Sequence, residues 1–315
     1  MPKAPFPDQP YFSWMAWGML KICPRRWFLH NFGRELPAPD GPKFYAERKL
    51  SYWNAFAGQL ADDGVTELIR HFKKHGVWRQ DMGEWLHKQA LEYRKESLAY
   101  TEAAQTGAEL PYVKRQVLDK YFWGEVPDAA EHRRVLSDAR AAVEAFLRTD
   151  IPHRIESAPR EALMCDHKDG GFPWASHDGV PVFAVYDFAI KTSDLVTIFD
   201  WKTGKLTPEK AQAALEQLHW YALYAIETWG YRPDQIRLAP VFLSTTYGYD
   251  ETEPDSATLQ GIRNSWKDRH CDIKDLMQKN PNPSDLQECF PMTENLRECA
   301  GCVFRSCPGY GRIPR

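Results

Sequence analysis

Two apolar runs separated by a short polar turn constrain this chain most. They are Val185-Tyr186-Asp187-Phe188-Ala189-Ile190 and Val196-Thr197-Ile198-Phe199-Asp200-Trp201-Lys202. Both are rich in β-branched and aromatic residues, and both are short enough to read as strands. The first strand is expected over Pro181 to Ile190 and the second over Leu195 to Lys202, joined through Lys191-Thr192-Ser193-Asp194. Thr207-Pro208-Glu209 then opens a helix, with Thr207 as cap and Pro208 at the first helical position. That helix runs to about Trp229 and stops at Gly230. Each strand carries one aspartate within its apolar run, and such an acid is costly unless something binds it.

The remaining segments set this hairpin in an α/β frame. Residues 1–10 are Pro-rich and read as extended, and Ser13 caps a helix to about Cys23. Residues 36–43 read as a linker. From Phe44 to Asp150 the pattern is helical, most clearly over Ala129 to Leu147. The pattern changes at Ile151-Pro152. A strand over Glu161 to Cys165 and a Gly/Pro-rich loop through Gly179 precede the hairpin, and a strand over Ile236 to Thr245 follows the helix. The resulting order is β-β-β-α-β with helices on either side. The expected division is an N-terminal arm and helical region over 1–150, a core over 151–250 and a cysteine-bearing segment over 251–315.

Net charge is −3, with 26% charged residues, so a nucleic acid would have to meet a local basic patch rather than a basic body. Arg70, Lys73, Lys74, Trp78 and Arg79 form one such stretch, with an aromatic interleaved; Arg25, Arg26 and Arg34 form another. The competing reading of either stretch is a solvated helix end. Twelve tryptophans supply either core or base-stacking surface. No apolar run reaches membrane-spanning length: Lys21 interrupts Tyr11 to Cys23, and Pro24-Arg25-Arg26 ends it. The expectation is a cytoplasmic chain with no membrane partner. Thr203-Gly204-Lys205 lacks the upstream glycine of a phosphate-binding loop, so the chain has no motor of its own.

Side chains alternate along a strand, so Asp200 and Lys202 share a face. A two-residue loop at Thr192-Ser193 would set Asp187 opposite Ile198 and diagonal to Asp200, on that same face. Two carboxylates so placed suit a hard cation, Mg²⁺ or Mn²⁺. Lys202 could then orient a water and offset charge on a pentavalent phosphorus. Gln217 and Tyr221, four apart on one helical face, could project over the hairpin. The plainer alternative is a surface hairpin with an ordinary Asp200–Lys202 pair and a core Tyr221.

The succession Asp187, Asp200-Trp201-Lys202-Thr203-Gly204 and Gln217-x-x-x-Tyr221 resembles the RecB-like branch of the PD-(D/E)XK nuclease superfamily. The resemblance implies a restriction-endonuclease-like core and a DNA nuclease. It points to exonuclease or end-processing activity on single strands or duplex ends, with a helicase, recombination or adaptation protein as partner. It implies catalytic roles for Asp187, Asp200, Lys202, Gln217 and Tyr221. Members often carry a metal-binding His after a small Gly-containing motif; here Gly58-Gln59-Leu60-Ala61-Asp62 puts Asp62 at that place, with His71, His75 and His30 as alternatives.

Three of the seven cysteines fall within nine residues, at Cys299, Cys302 and Cys307, and need a fourth partner to complete a metal centre. The same resemblance supplies Cys23, in Cys23-Pro24-Arg25-Arg26, and implies a structural [4Fe-4S] cluster that packs this end of the chain with the tail as one unit. Cys289 is the substitute ligand and zinc the alternative metal. Cys165 and Cys271 read as ordinary thiols.

Overall fold

Both apolar runs become strands of one four-stranded sheet in the computed structural model, which describes residues 10–165, 172–176, 178–244 and 249–312. The expected extended arm over residues 1–9, part of the Gly/Pro-rich loop and the strand end at Thr245 lie outside the described residues. The chain divides into two compact units, each discontinuous in sequence.

The unit built from 54–91 and 128–265 contains the sheet. Its elements in order include α1 (Phe56–His75), α2 (Ala129–Arg148), α3 (Ile151–Ser157), β1 (Leu163–Met164), β2 (Phe172–Ala175), β3 (Pro181–Ala184), β4 (Phe188–Lys191), β5 (Val196–Lys202), α4 (Pro208–Trp229) and β6 (Ile236–Phe242). The sheet order is β1-β4-β5-β6; β4 pairs antiparallel with both β1 and β5, and β6 pairs parallel with β5. A parallel pair needs a crossover, and α4 provides it. Thr207 caps α4 by accepting from the Lys210 N–H, Pro208 takes the first turn, and Gly230 ends the helix at φ +77°. β5 is buried on both faces, as expected of a strand flanked by two others and covered by helices. Phe199 and Trp201 stack with Phe188, and Phe146 of α2 meets Trp201 edge-on at 5.5 Å. Asp200 and Lys202 take the alternate positions.

Three local expectations are corrected. The run from Pro181 to Ile190 is not one strand: it breaks into β3 and β4, which lie in different sheets, and Asp187 sits at the bend before β4. The hairpin loop has four residues, not two. Thr192 closes it, its N–H and hydroxyl both donating to the Leu195 carbonyl at 2.9 and 2.8 Å. The pairing is Phe188↔Phe199, so Asp187 and Asp200 are the next facing positions instead of Asp187 facing Ile198. Lengthening the loop by two residues preserves parity, which keeps Asp187 on the expected face. Third, the linker read at 36–43 already contains the start of a helix, Asp40–Glu47, and the helical region read to Asp150 is followed by a further helix, Ile151–Ser157.

The other unit comprises 1–53, 92–127 and 266–315. Helices Trp14–Ile22 and Pro24–Phe32 meet at Cys23, and Ser13 caps the first. Trp27 and Phe28 pack on Phe290 at 5.3 and 5.5 Å, and the Arg25 Nε donates to the Phe290 carbonyl at 2.8 Å. Aromatic packing therefore joins the first helices to the tail directly.

Candidate active site

Asp200 is 1% exposed in the middle of a strand covered on both sides, so its charge has to be met within the protein. Lys202, two residues on and on the same face, forms an ion pair with its Oδ2. The Lys202 Nζ also donates to the Gln217 Oε1 at 2.9 Å, and the Gln217 Nε2 donates to the Tyr221 Oη at 2.7 Å. Both helix residues lie on α4, one turn apart, because α4 crosses over this face of β5. Asp187 is held differently: its Oδ2 accepts the Trp201 backbone N–H at 2.6 Å. The bend before β4 leaves Asp187 outside the strand ladder, where its side chain takes up a backbone donor of β5.

Asp62 completes the acidic group. It is half-buried on α1, and its charge acts on Asp187, Lys202 and Tyr221. Gly58, one turn earlier, lets α1 come close to the end of β5: a Cβ there would stand 2.9 Å from the Thr203 Oγ1. The structure thus brings Asp62, Asp187, Asp200, Lys202, Gln217 and Tyr221 to one place. The side chain of Lys202 is 32% exposed against 2% for Asp200, so the lysine forms the accessible edge of the group.

The electrostatics follow from burial of like charges. Burial first, then the charges of Asp62 and Asp200, push the Asp187 carboxyl well above the usual carboxylate range, against the pull of Lys202 and the Trp201 N–H. Burial also raises Asp200, opposed by Lys202. Burial pulls the Lys202 ammonium down, but Asp200 and Asp187 outweigh it and leave the lysine raised and charged. The Tyr221 phenol is raised well by burial and by Asp200 and Asp187, so it keeps its proton. A cluster of carboxylates that resists ionisation offers oxygen donors to a hard cation, whose charge would offset their repulsion. Among the described residues, however, no three His, Cys, Asp or Glu side chains are arranged to hold a metal ion. On this side Asp187 is engaged by the Trp201 N–H and Asp200 by Lys202.

The alternatives to Asp62 are placed otherwise. His71 and His75 meet edge-to-face at 4.6 Å on α1. His30 belongs to the other unit, where burial, then Arg48, Arg26 and Lys49, drive it down to about 3 and leave it neutral.

The basic stretch from Arg70 to Arg79, at and beyond the end of α1, mostly serves the fold. Lys73 and Arg70 donate to the carbonyls of Leu163 and Cys165 at 2.7 and 3.3 Å, and Arg79 pairs with Glu67 and Asp81. Trp78 stacks on Phe72 at 4.7 Å and donates to Glu156. Sequence alone gave no signal for one contributor to the site, the Trp201 backbone amide, which acts through its main chain.

In the other unit, Cys23, Cys299, Cys302 and Cys307 line one apolar cavity together with Arg26. Burial raises the thiols of Cys302 and Cys307; Cys307 and Cys23 also raise Cys302, and Cys23 and Cys299 also raise Cys307. The donor identities suit a four-thiolate centre, but their present spacing does not form a metal site.

The family whose description matches this chain is the PD-(D/E)XK nuclease superfamily, over residues 13–308. No curated protein matches it. The chain belongs to the PD-(D/E)XK nuclease superfamily.

Proposed function

From this membership, we propose that the chain is a Mg²⁺- or Mn²⁺-dependent deoxyribonuclease of the RecB-like branch, hydrolysing phosphodiesters at single strands or duplex ends. The observation that carries this reading is the convergence of three carboxylates, Asp62, Asp187 and Asp200, on one charged lysine at the accessible edge of a buried strand. Asp187 and Asp200, with Asp62, are the residues to hold the cation. A divalent ion bound there supplies electrophilic stabilisation of the phosphoryl oxygens and acidifies water.

Asp200 and Lys202 orient one another, so the ammonium stands where negative charge grows during in-line attack. Lys202 has three donors; Asp200 and Gln217 take two, leaving one to direct a nucleophilic water or a phosphate oxygen. Tyr221, fully protonated, remains a hydrogen-bond donor in the site.

Cys23, Cys299, Cys302 and Cys307 are proposed to carry a structural [4Fe-4S] cluster, a reading supported by their sharing one cavity. Visible absorbance of anaerobically purified protein tests it, and colourless zinc-loaded protein would replace the cluster with zinc. Without a phosphate-binding loop of its own, the enzyme is proposed to act beside a helicase or a recombination or adaptation protein. No described helix is long and apolar enough to cross a membrane.

The test is a Mg²⁺/Mn²⁺ assay on 5′- and 3′-labelled single- and double-stranded DNA. Wild type should cleave, and Asp200→Ala and Lys202→Ala should not, with unchanged circular dichroism. Cleavage by either variant at the wild-type rate sinks the site assignment. The second reading, a DNA-binding scaffold without catalysis, is favoured by the engagement of one Asp187 carboxylate oxygen by the Trp201 N–H. Metal-independent binding without cleavage would establish it.

A further inference from the structure

The hydrogen bonds around Gln217 have only one possible direction. An ammonium can only donate, so the Gln217 atom facing Lys202 at 2.9 Å is the carbonyl oxygen. This fixes the amide nitrogen toward Tyr221, 2.7 Å away. An amide nitrogen also only donates, so the Tyr221 oxygen accepts from it and the phenolic hydrogen must point elsewhere. Tyr221 is 2% exposed, and its electrostatic neighbours are Asp200, Asp187 and Asp62. Their negative field draws that hydrogen into the carboxylate group. The charge on Lys202 therefore sets, through one amide, the direction of a hydroxyl on the next turn of α4.

We propose that Gln217 is a positioning residue that makes Lys202 and Tyr221 a single unit. Its carbonyl holds the ammonium beside Asp200, and its amide turns the Tyr221 hydroxyl toward the carboxylates, so that Gln217 acts through its two neighbours and not by touching the substrate. This rests on the nuclease reading above and divides the labour within that site.

In this arrangement Gln217 has no work apart from Lys202 and Tyr221. Removing the amide leaves the hydroxyl free to turn away, and removing the hydroxyl leaves the amide with nothing to direct. The loss from removing the hydroxyl is contained in the loss from removing the amide, which also frees Lys202, so loss of both should cost little more than loss of Gln217 alone. A glutamine that bound substrate itself would add its own loss to that of the tyrosine.

The experiment is a double-mutant cycle on the full chain with Gln217→Leu, Tyr221→Phe and the pair, measured as kcat and KM on a labelled single-stranded oligonucleotide with Mn²⁺. Thermal melting of the same four proteins is followed without metal. Each single variant is expected to lose about tenfold in kcat with KM within about twofold. The double should also lose about tenfold, rather than about a hundredfold. In melting, the double should fall no further than the worse single. Gln217→Met replaces Gln217→Leu if the latter does not fold. Multiplying losses in kcat, a loss confined to KM, or additive falls in melting temperature each overturn the relay while leaving the nuclease reading intact. If wild type itself cleaves neither DNA form with either metal, the nuclease reading fails and takes the relay with it.

Discussion

Replacing Glu47 by glutamine should remove a specific pH dependence from the stability of this protein. Glu47 is 2% exposed at the end of helix Asp40–Glu47. Its Oε1 accepts both the Ser306 N–H at 3.1 Å and the Ser306 hydroxyl at 2.5 Å, which fixes the loop between Cys302 and Cys307. Burial lifts its carboxyl from 4.5 to about 7, against the opposing effects of the Ser306 hydrogen bonds, Lys43 and Arg305. The folded protein thus binds this proton more tightly than the unfolded chain. The stabilisation is full below the unfolded value, declines as pH rises, and is lost above about 7. At about 1.4 kcal/mol per tenfold, the whole span is worth about 3 kcal/mol, of which about 2 kcal/mol lies between about pH 5.5 and 8.5. Glutamine cannot ionise, so Glu47→Gln should lack this decline. The measurement is urea denaturation of both proteins at the two pH values. Any packing cost of the amide is common to both, so the change in their difference with pH is diagnostic. Glu47→Gln should gain about 2 kcal/mol on wild type from the lower to the higher pH. Parallel pH profiles would refute the claim that Glu47 holds a proton in the folded state.

Two further outcomes concern the helix that carries Gln217 and Tyr221. Thr207→Ala removes its N-cap and Gly230→Ala puts a side chain at φ +77°; each should cost about 1 kcal/mol in denaturation, and the two should add because they lie at opposite ends. Gly58→Ala should lower nuclease turnover by pressing on Thr203, next to Lys202, and adding Thr203→Ala should restore it; equal turnover in Gly58→Ala and wild type would dismiss the contact.

The sequence by itself determined the elements whose signals are local. Thr207-Pro208 and Gly230 delimit the crossover helix because caps and first-turn prolines act within a few residues. The apolar run ending in Asp200-x-Lys202 fixed a buried strand and the common face of its two charged residues, since alternation is a property of the strand alone. The motif order identified the family for the same reason: it is written in one continuous stretch.

Tertiary structure decided whatever depended on partners distant in sequence. The strand expected from Pro181 to Ile190 breaks at Asp187 because its halves pair with different neighbours, and no local pattern encodes a choice of neighbour. The hairpin register depended on Thr192 closing a four-residue loop. The basic stretch after Arg70 reads like a nucleic-acid surface in sequence, but most of its donors meet carbonyls and carboxylates of the same unit. Asp62 acts on the strand acid Asp187 from a helix whose Gly58 lies close to Thr203. Chain composition supplied the charged groups; packing decided which of them face one another in a low-dielectric interior, and so which carboxylate meets the lysine.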